Sequence, residues 1–176
     1  MINKNELLFV VDENNNELES LPRHTVHQKG LWHRTAGIWV INKEKQILCQ
    51  KRSMKKDLKP GFWEAFFGGH LAPHEEYVDS AAKELGEELG ITVQKERLIP
   101  YNIVKNDKPA HREFQYCFIY ELNENDREFS LEKEEVDEVK WFDLEDVRKL
   151  LTIEKDSHWV HKPWDGDVLD FILQQT

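Results

Sequence analysis

The sequence predicts an α/β (α+β) fold in which helices pack on a mixed β-sheet, and three observations predict it. Its 176 residues make one ordinary domain, taken as a single unit over 1–176. Strand-like apolar runs are interspersed with a few helical patterns in one compact chain. No repeat and no low-complexity linker divides it.

The elements follow in order. Leu7 to Asp12 is β-rich, and the polar stretch at 12–16 is a turn, so an N-terminal hairpin over about 5–21 opens the chain. Pro22 then starts something new: one or two helical turns over 22–33, closed by Gly30. Ala36 to Asn42 and Gln46 to Arg52 read as a second hairpin across a polar turn. A basic loop with Pro60-Gly61 leads to a short strand, Glu64 to Phe67, and then to Gly68-Gly69, where the backbone reaches conformations barred to other residues.

After Pro73 a helix over about 75–89 ends at Gly90, the expected residue just past its C-terminus. Strands are expected at 98–104, 112–122 and 135–142. Asp143 is set to cap a helix over 144–151, and the tail carries a C-terminal helix over about 165–174.

Composition excludes several classes. A charge of −10 (24 Lys+Arg against 34 Asp+Glu) argues against a nucleic acid polymer as partner, since like charges would meet. The N-terminus has too short an apolar run for a secretory or membrane segment, so a cytoplasmic protein with no membrane partner is expected. Cys49 and Cys117 stand in no CxxC pattern and read as reduced core residues.

The chemistry concentrates in one helix. Residues three and four apart share a helix face, so Glu84, Glu87 and Glu88 project together, with Val78, Ala81 or Ala82, Leu85 and Leu89 opposite. Neighbouring like charges cost roughly 0.2–0.5 kcal/mol per pair on an exposed helix. A hard divalent cation, Mg²⁺ or Mn²⁺, reverses that sign. Gly86 costs about 1 kcal/mol inside the helix, which suits a close approach by another element.

The stretch from Gly69 to Ile91 resembles the Nudix box, G-x5-E-x7-R-E-U-x-E-E-x-G-U, with Gly69, Glu75, Glu84, Leu85, Glu87, Glu88, Gly90 and Ile91 in register and Lys83 in place of the arginine. The resemblance implies a Nudix-type α/β/α sandwich and metal-dependent hydrolysis of a small-molecule diphosphate, most often a nucleoside diphosphate linked to another moiety. It implies that Glu84, Glu87 and Glu88 are metal-binding and catalytic. Gly69, Glu75, Lys83 and Gly90 would be structural, with Glu75 and Lys83 bracing loop and helix through a charged hydrogen bond. A lysine lacks the planar fork of arginine for that brace. The proton of the attacking water would go to a box glutamate or to an outside acid, of which Glu135 is the better candidate.

Outside the box, residues from about 5 to 142 resemble the isopentenyl diphosphate isomerase branch of the same superfamily. That resemblance implies His33, His70 and Glu113 as further metal ligands, and Arg52 with Lys55 or Lys56 as diphosphate contacts. His27 also corresponds to a ligand there, but its spacing to His33 is one residue short, so a surface role is expected. Glu113 reads equally as a solvent-facing acid opening a strand. His111 stands where the branch has an acid, and Gly68 stands where it has its catalytic cysteine. Hydrolysis is therefore expected ahead of isomerisation, with a non-enzymatic nucleotide-sensing module as a third reading. His24, His74, His158 and His161 receive no function. The stretch from Lys155 to Asp167, rich in Trp and His, is open between lining a substrate site and forming a homodimer surface.

Overall fold

The computed structural model of the protein describes residues 6–109, 111–122 and 128–175. Its organising element is the strand β3 (His33–Ile41). The strand β8 (His111–Glu121) runs parallel to it along its whole length, from His33 opposite Glu113 to Ile41 opposite Glu121. On its other side β3 pairs first with β6 (Phe67–His70), then with β4 (Gln46–Arg52) through Val40 and Ile41. β7 (Ile99–Lys108) borders β8, while β9 (Val136–Asp143) and β5 (Trp63–Glu64) flank β4. The expected N-terminal hairpin is β1 (Leu7–Val11) with β2 (Glu17–Pro22); residue 5 lies outside the described residues.

Alternation along the strands sends side chains to two buried faces. Ile38, Val40, Leu48, Phe118 and Tyr120 cluster with Ala81, Leu85 and Leu89 of α2 (Tyr77–Leu89). Trp39, Ile41, Ile47, Cys117 and Ile119 cluster with the second helical layer, α3 (Leu144–Lys149) and α4 (Asp165–Gln175), through Leu144, Val147, Val168 and Ile172. The result is an α/β/α sandwich on a mixed sheet. Trp159 and Trp164 belong to this second core, so the C-terminal stretch is anchored by its tryptophans. Cys49 and Cys117 are buried and free.

Several boundaries differ from the sequence reading, each for a local reason. The strand expected at 64–67 divides into β5 and β6, and Gly68-Gly69 fall inside β6 because that strand pairs closely with Ala36 and Gly37 of β3. α2 starts at Tyr77, not at 75, because the Glu75 carboxylate is used ahead of the helix, accepting from the Ala72 N–H at 2.9 Å. Gly90 caps the helix in the left-handed region, φ 70°, its N–H returning to the Gly86 carbonyl. The chain then folds back so tightly that a Cβ at Gly86 would lie 3.2 Å from the Ile91 carbonyl oxygen, which accounts for the glycine inside the helix. α1 (Arg23–Lys29) closes at Gly30, φ 59°, as expected.

Asp143 caps α3 by accepting from the N–H groups of Glu145 and Asp146 at 3.0 and 3.3 Å, and the helix continues through a π turn over Leu150–Glu154. Losing such a cap costs about 1 kcal/mol. Asp143→Ala should therefore lower unfolding free energy by about that amount in urea titrations with an unchanged m-value. A variant as stable as the parent would contradict this role.

Candidate active site

The box glutamates are not three equivalent surface acids. Glu87 is exposed and Glu84 half-buried, while Glu88 is only 6% exposed. Glu88 reaches β6, where its Oε2 accepts from the Gly68 N–H at 3.1 Å. Glu84 rests against Gly69 so closely that a Cβ there would sit 2.5 Å from its carboxylate. Gly69 thus leaves the room that the Glu84 carboxylate occupies, and the Gly68 backbone holds that of Glu88. Burial raises Glu84 to about 7, against the pull of Lys83 and with the push of Glu87. Burial, then the like charges of Glu84 and Glu64, drives Glu88 well above the ordinary carboxylate range.

The expected Glu75–Lys83 brace is absent among the described residues. Glu75 holds the Ala72 backbone, and the Lys83 ammonium instead lies 4.0 Å from Glu84 Oε1. A lysine at this position can reach along its own helix turn, but has no fork to span the loop.

A second constellation lies at the other end of β6. Ligand atoms of His27, His33 and His70 all fall within 4.8 Å of one another. His27 Nε2 is 3.2 Å from His70 Nε2, so the expected surface role of His27 is overturned: Gly30 reverses the chain after α1 and carries His27 back over β3. The Leu31 carbonyl lies 3.0 Å from His33 Nδ1 and fixes that ring. His33, 1% exposed, is left with a buried Nε2 that has no hydrogen-bond partner. Burial and then neighbouring positive groups lower His27 to about 4 and His70 well below the usual imidazole range. Burial lowers His33 too. Neutral imidazoles with free lone pairs are metal donors.

Glu113 is 7% exposed, not the solvent-facing acid that its place near a strand start allows. The β3–β8 register sets it beside His33, with Glu113 Oε1 at 4.0 Å from His33 Nε2 and 3.9 Å from His111 Nδ1. His111 adds a fourth imidazole, its ring 5.9 Å from that of His27. Sequence spacing could have found His27 through Gly30; nothing in the local pattern marks His111 as a neighbour of α1.

The basic residues divide. Arg52 commits three donors internally, Nη1 to Glu64 Oε2 at 2.7 Å and Nε and Nη2 to the Leu58 carbonyl. Lys55 pairs with Glu134 on the surface. Lys56 pairs with Glu135, and its charge also acts on Glu88 and His70. Lys162, unmarked in the sequence, reaches to 4.0 Å from Glu113 Oε2.

Gly68 has φ +142°, and a Cβ there would lie 2.0 Å from the Ala36 carbonyl oxygen. The position lacks a thiol and its backbone also excludes one.

With this geometry in place, the comparisons define the class. The NUDIX domain matches residues 31–164, and the chain belongs to that family, which generally uses divalent metals. An uncharacterized Nudix hydrolase of Pseudomonas aeruginosa is 34% identical over 149 residues, covering 82% of this chain and 85% of the relative. An isopentenyl-diphosphate Delta-isomerase 2 of Photorhabdus laumondii is 29% identical, covering 92% of each chain. A solved structure from Deinococcus radiodurans superposes with a TM-score of 0.71 at 16% identity, over 94% of this chain and 98% of the other, which shows the shared fold. No helix among the described residues is long and apolar enough to cross a membrane.

Asp165, buried at the start of α4, accepts from the Lys162 N–H at 2.7 Å, yet burial lifts it from 3.8 to about 7. The folded state then keeps its proton where the unfolded state has lost it, so stability falls as pH rises from about 4 to about 7 and levels above that. Asp165→Asn cannot ionise. Its denaturation midpoint minus that of the parent should grow more positive across that interval; a constant difference would contradict the shift.

Proposed function

We propose that the protein is a Mg²⁺- or Mn²⁺-dependent hydrolase that cleaves the diphosphate of a nucleoside diphosphate linked to another moiety. The carrying observation is the joint burial of Glu84 and Glu88 against Gly68-Gly69, with Glu87 exposed at the rim. Two adjacent buried carboxylates with raised proton affinity are costly unless protonated or bound to a cation. An all-oxygen donor set of this kind fits a hard divalent ion, held by Glu84, Glu87 and Glu88. His27, His33, His70 and Glu113 fit a second ion, because the orphaned, deeply buried His33 Nε2 needs a partner.

Bound divalent ions would supply neutralisation of the phosphate oxygens and lower the pKa of a water. The chain's own residues do the rest. Lys56, paired with Glu135 and acting by its charge on Glu88, offers positive charge to a diphosphate entering the cleft. Glu135, paired with Lys56, receives the proton of the attacking water, with Lys56 orienting its carboxylate. Arg52 acts behind the site by holding Glu64, which faces Glu88.

Isomerisation is disfavoured because the cysteine that its chemistry needs cannot be accommodated at Gly68. A purely sensing role gives no reason to set two glutamates against one glycine pair with a third at the rim. The substrate is a small molecule and not a nucleic acid polymer, in keeping with the charge of −10. Two buried free cysteines support a reducing, cytoplasmic setting.

The test is a screen of nucleoside di- and triphosphates, sugar nucleotides and dinucleotide cofactors with Mg²⁺ or Mn²⁺, locating the broken bond in the products. Glu87→Gln removes an exposed carboxylate and no core contact, so it should fold as the parent but lose at least about 100-fold in kcat on the best substrate. Turnover equal to the parent's would show that the cluster does not carry the reaction.

A further inference from the structure

Arg23 acts by its charge on His27, His33 and His70, and Lys56 acts on His70. Each of these cations has an acid of its own: Glu6 Oε2 lies 3.7 Å from Arg23 Nε, and Glu135 takes Lys56. Lys162 differs. Its only ion pair among the described residues is with Glu113, the carboxylate of the imidazole-rich end, at 4.0 Å.

Local structure places it there. Asp165, at the start of α4, accepts from the Lys162 backbone N–H at 2.7 Å, and the buried Trp164 between them packs in the second core, so the segment is pinned. The ammonium then lies 5.5 Å from the Phe66 ring centre and 5.7 Å from that of Trp164. Two rings attract it and hold it back from water. The side chain is 22% exposed, and among the described residues its ammonium donates no hydrogen bond. Its charge also falls on Asp165, whose carboxyl burial lifts to about 7.

Glu113 is shared between two neighbourhoods. Its Oε1 faces His33 Nε2 at 4.0 Å and His111 Nδ1 at 3.9 Å, while its Oε2 faces Lys162. A separation of 4.0 Å is too long for a hydrogen bond, so Lys162 acts on Glu113 by charge and does not fix its orientation. Burial disfavours charge on His27, His33 and His70, which leaves Glu113 to supply the negative charge that this end offers a cation. Lys162 offsets it. The glutamate end is the reverse, with three carboxylates on one helix and only Lys83 near Glu84.

We infer that Lys162 sets the charge of the imidazole-rich end: its caged ammonium offsets Glu113, so this end holds a divalent ion less tightly than its donors allow and, once filled, keeps positive charge in excess for a phosphate of the substrate. This rests on the hydrolase reading only for the assignment of His27, His33, His70 and Glu113 to an ion. A fixed like charge beside a cation lowers the affinity for it, and the same charge raises the affinity for an anion. Lys162 is thus a specificity-determining residue that trades one affinity for the other.

The test is a titration with Co²⁺, whose visible absorption reports imidazole ligation, followed by titration of the cobalt-loaded protein with inorganic phosphate. Lys162→Met keeps a flexible apolar stem against the two rings and loses the charge; Lys162→Arg keeps the charge. In Lys162→Met, Co²⁺ should bind at least about tenfold more tightly and phosphate at least about tenfold more weakly. Lys162→Gln, a second uncharged variant, should reproduce this, and Lys162→Arg should match the parent in both titrations, each fold being checked by circular dichroism. A residue that merely supports the fold would lower both affinities together. Cobalt affinity that does not rise in the uncharged variants, or phosphate affinity that does not fall, would overturn the role of Lys162 and leave the ion centre standing. A parent that binds no cobalt through imidazole would overturn that role together with the second ion of the hydrolase reading.

Discussion

Everything in the cleft depends on two carboxylates being held against the glycine pair of one short strand. Gly68 donates its N–H to Glu88, and Gly69 leaves the space that Glu84 fills. Among the described residues neither carboxylate has an ammonium or guanidinium group closer than 4.0 Å, the distance of Lys83 from Glu84, and Arg52 is held by Glu64. The molecule carries this electrostatic cost on a helix anchored by Leu85 and Leu89 in the core. Such a cost in a folded protein marks a site that its ligand relieves.

The sheet turns this local arrangement into a cleft with two ends. β6 carries the glycines at one point and His70 a step further on, while β3 brings His33 and the parallel β8 brings Glu113 into line with it. One short strand therefore separates an oxygen-rich donor set from a nitrogen-rich one. Gly68, whose N–H Glu88 accepts from, has φ +142° and no room for a Cβ beside the Ala36 carbonyl, so a cysteine would be strained there.

Much of this was legible in the sequence wherever the determinants are local. The apolar stripe of α2, its end at Gly90, the cap at Asp143 and the hairpin turns are each written within a few residues. The three glutamates were legible as a group, but their unequal burial was not, because it is set by β6, which the sequence keeps separate. Linear spacing sends His27 to the surface because it ignores the reversal at Gly30. Glu113 and His111 acquire neighbours only through the parallel pairing of β8 with β3, and parallel partners are distant in the chain. Lys162 and the tryptophans beside it have no periodicity to betray them, since their place is fixed by packing on α4 and the sheet.

The most direct measurement is the anomalous diffraction of crystals soaked in Mn²⁺. A peak coordinated by Glu84 and Glu88, with Glu87 completing the set, is expected. A fully occupied crystal form in which manganese leaves those carboxylates untouched would contradict it.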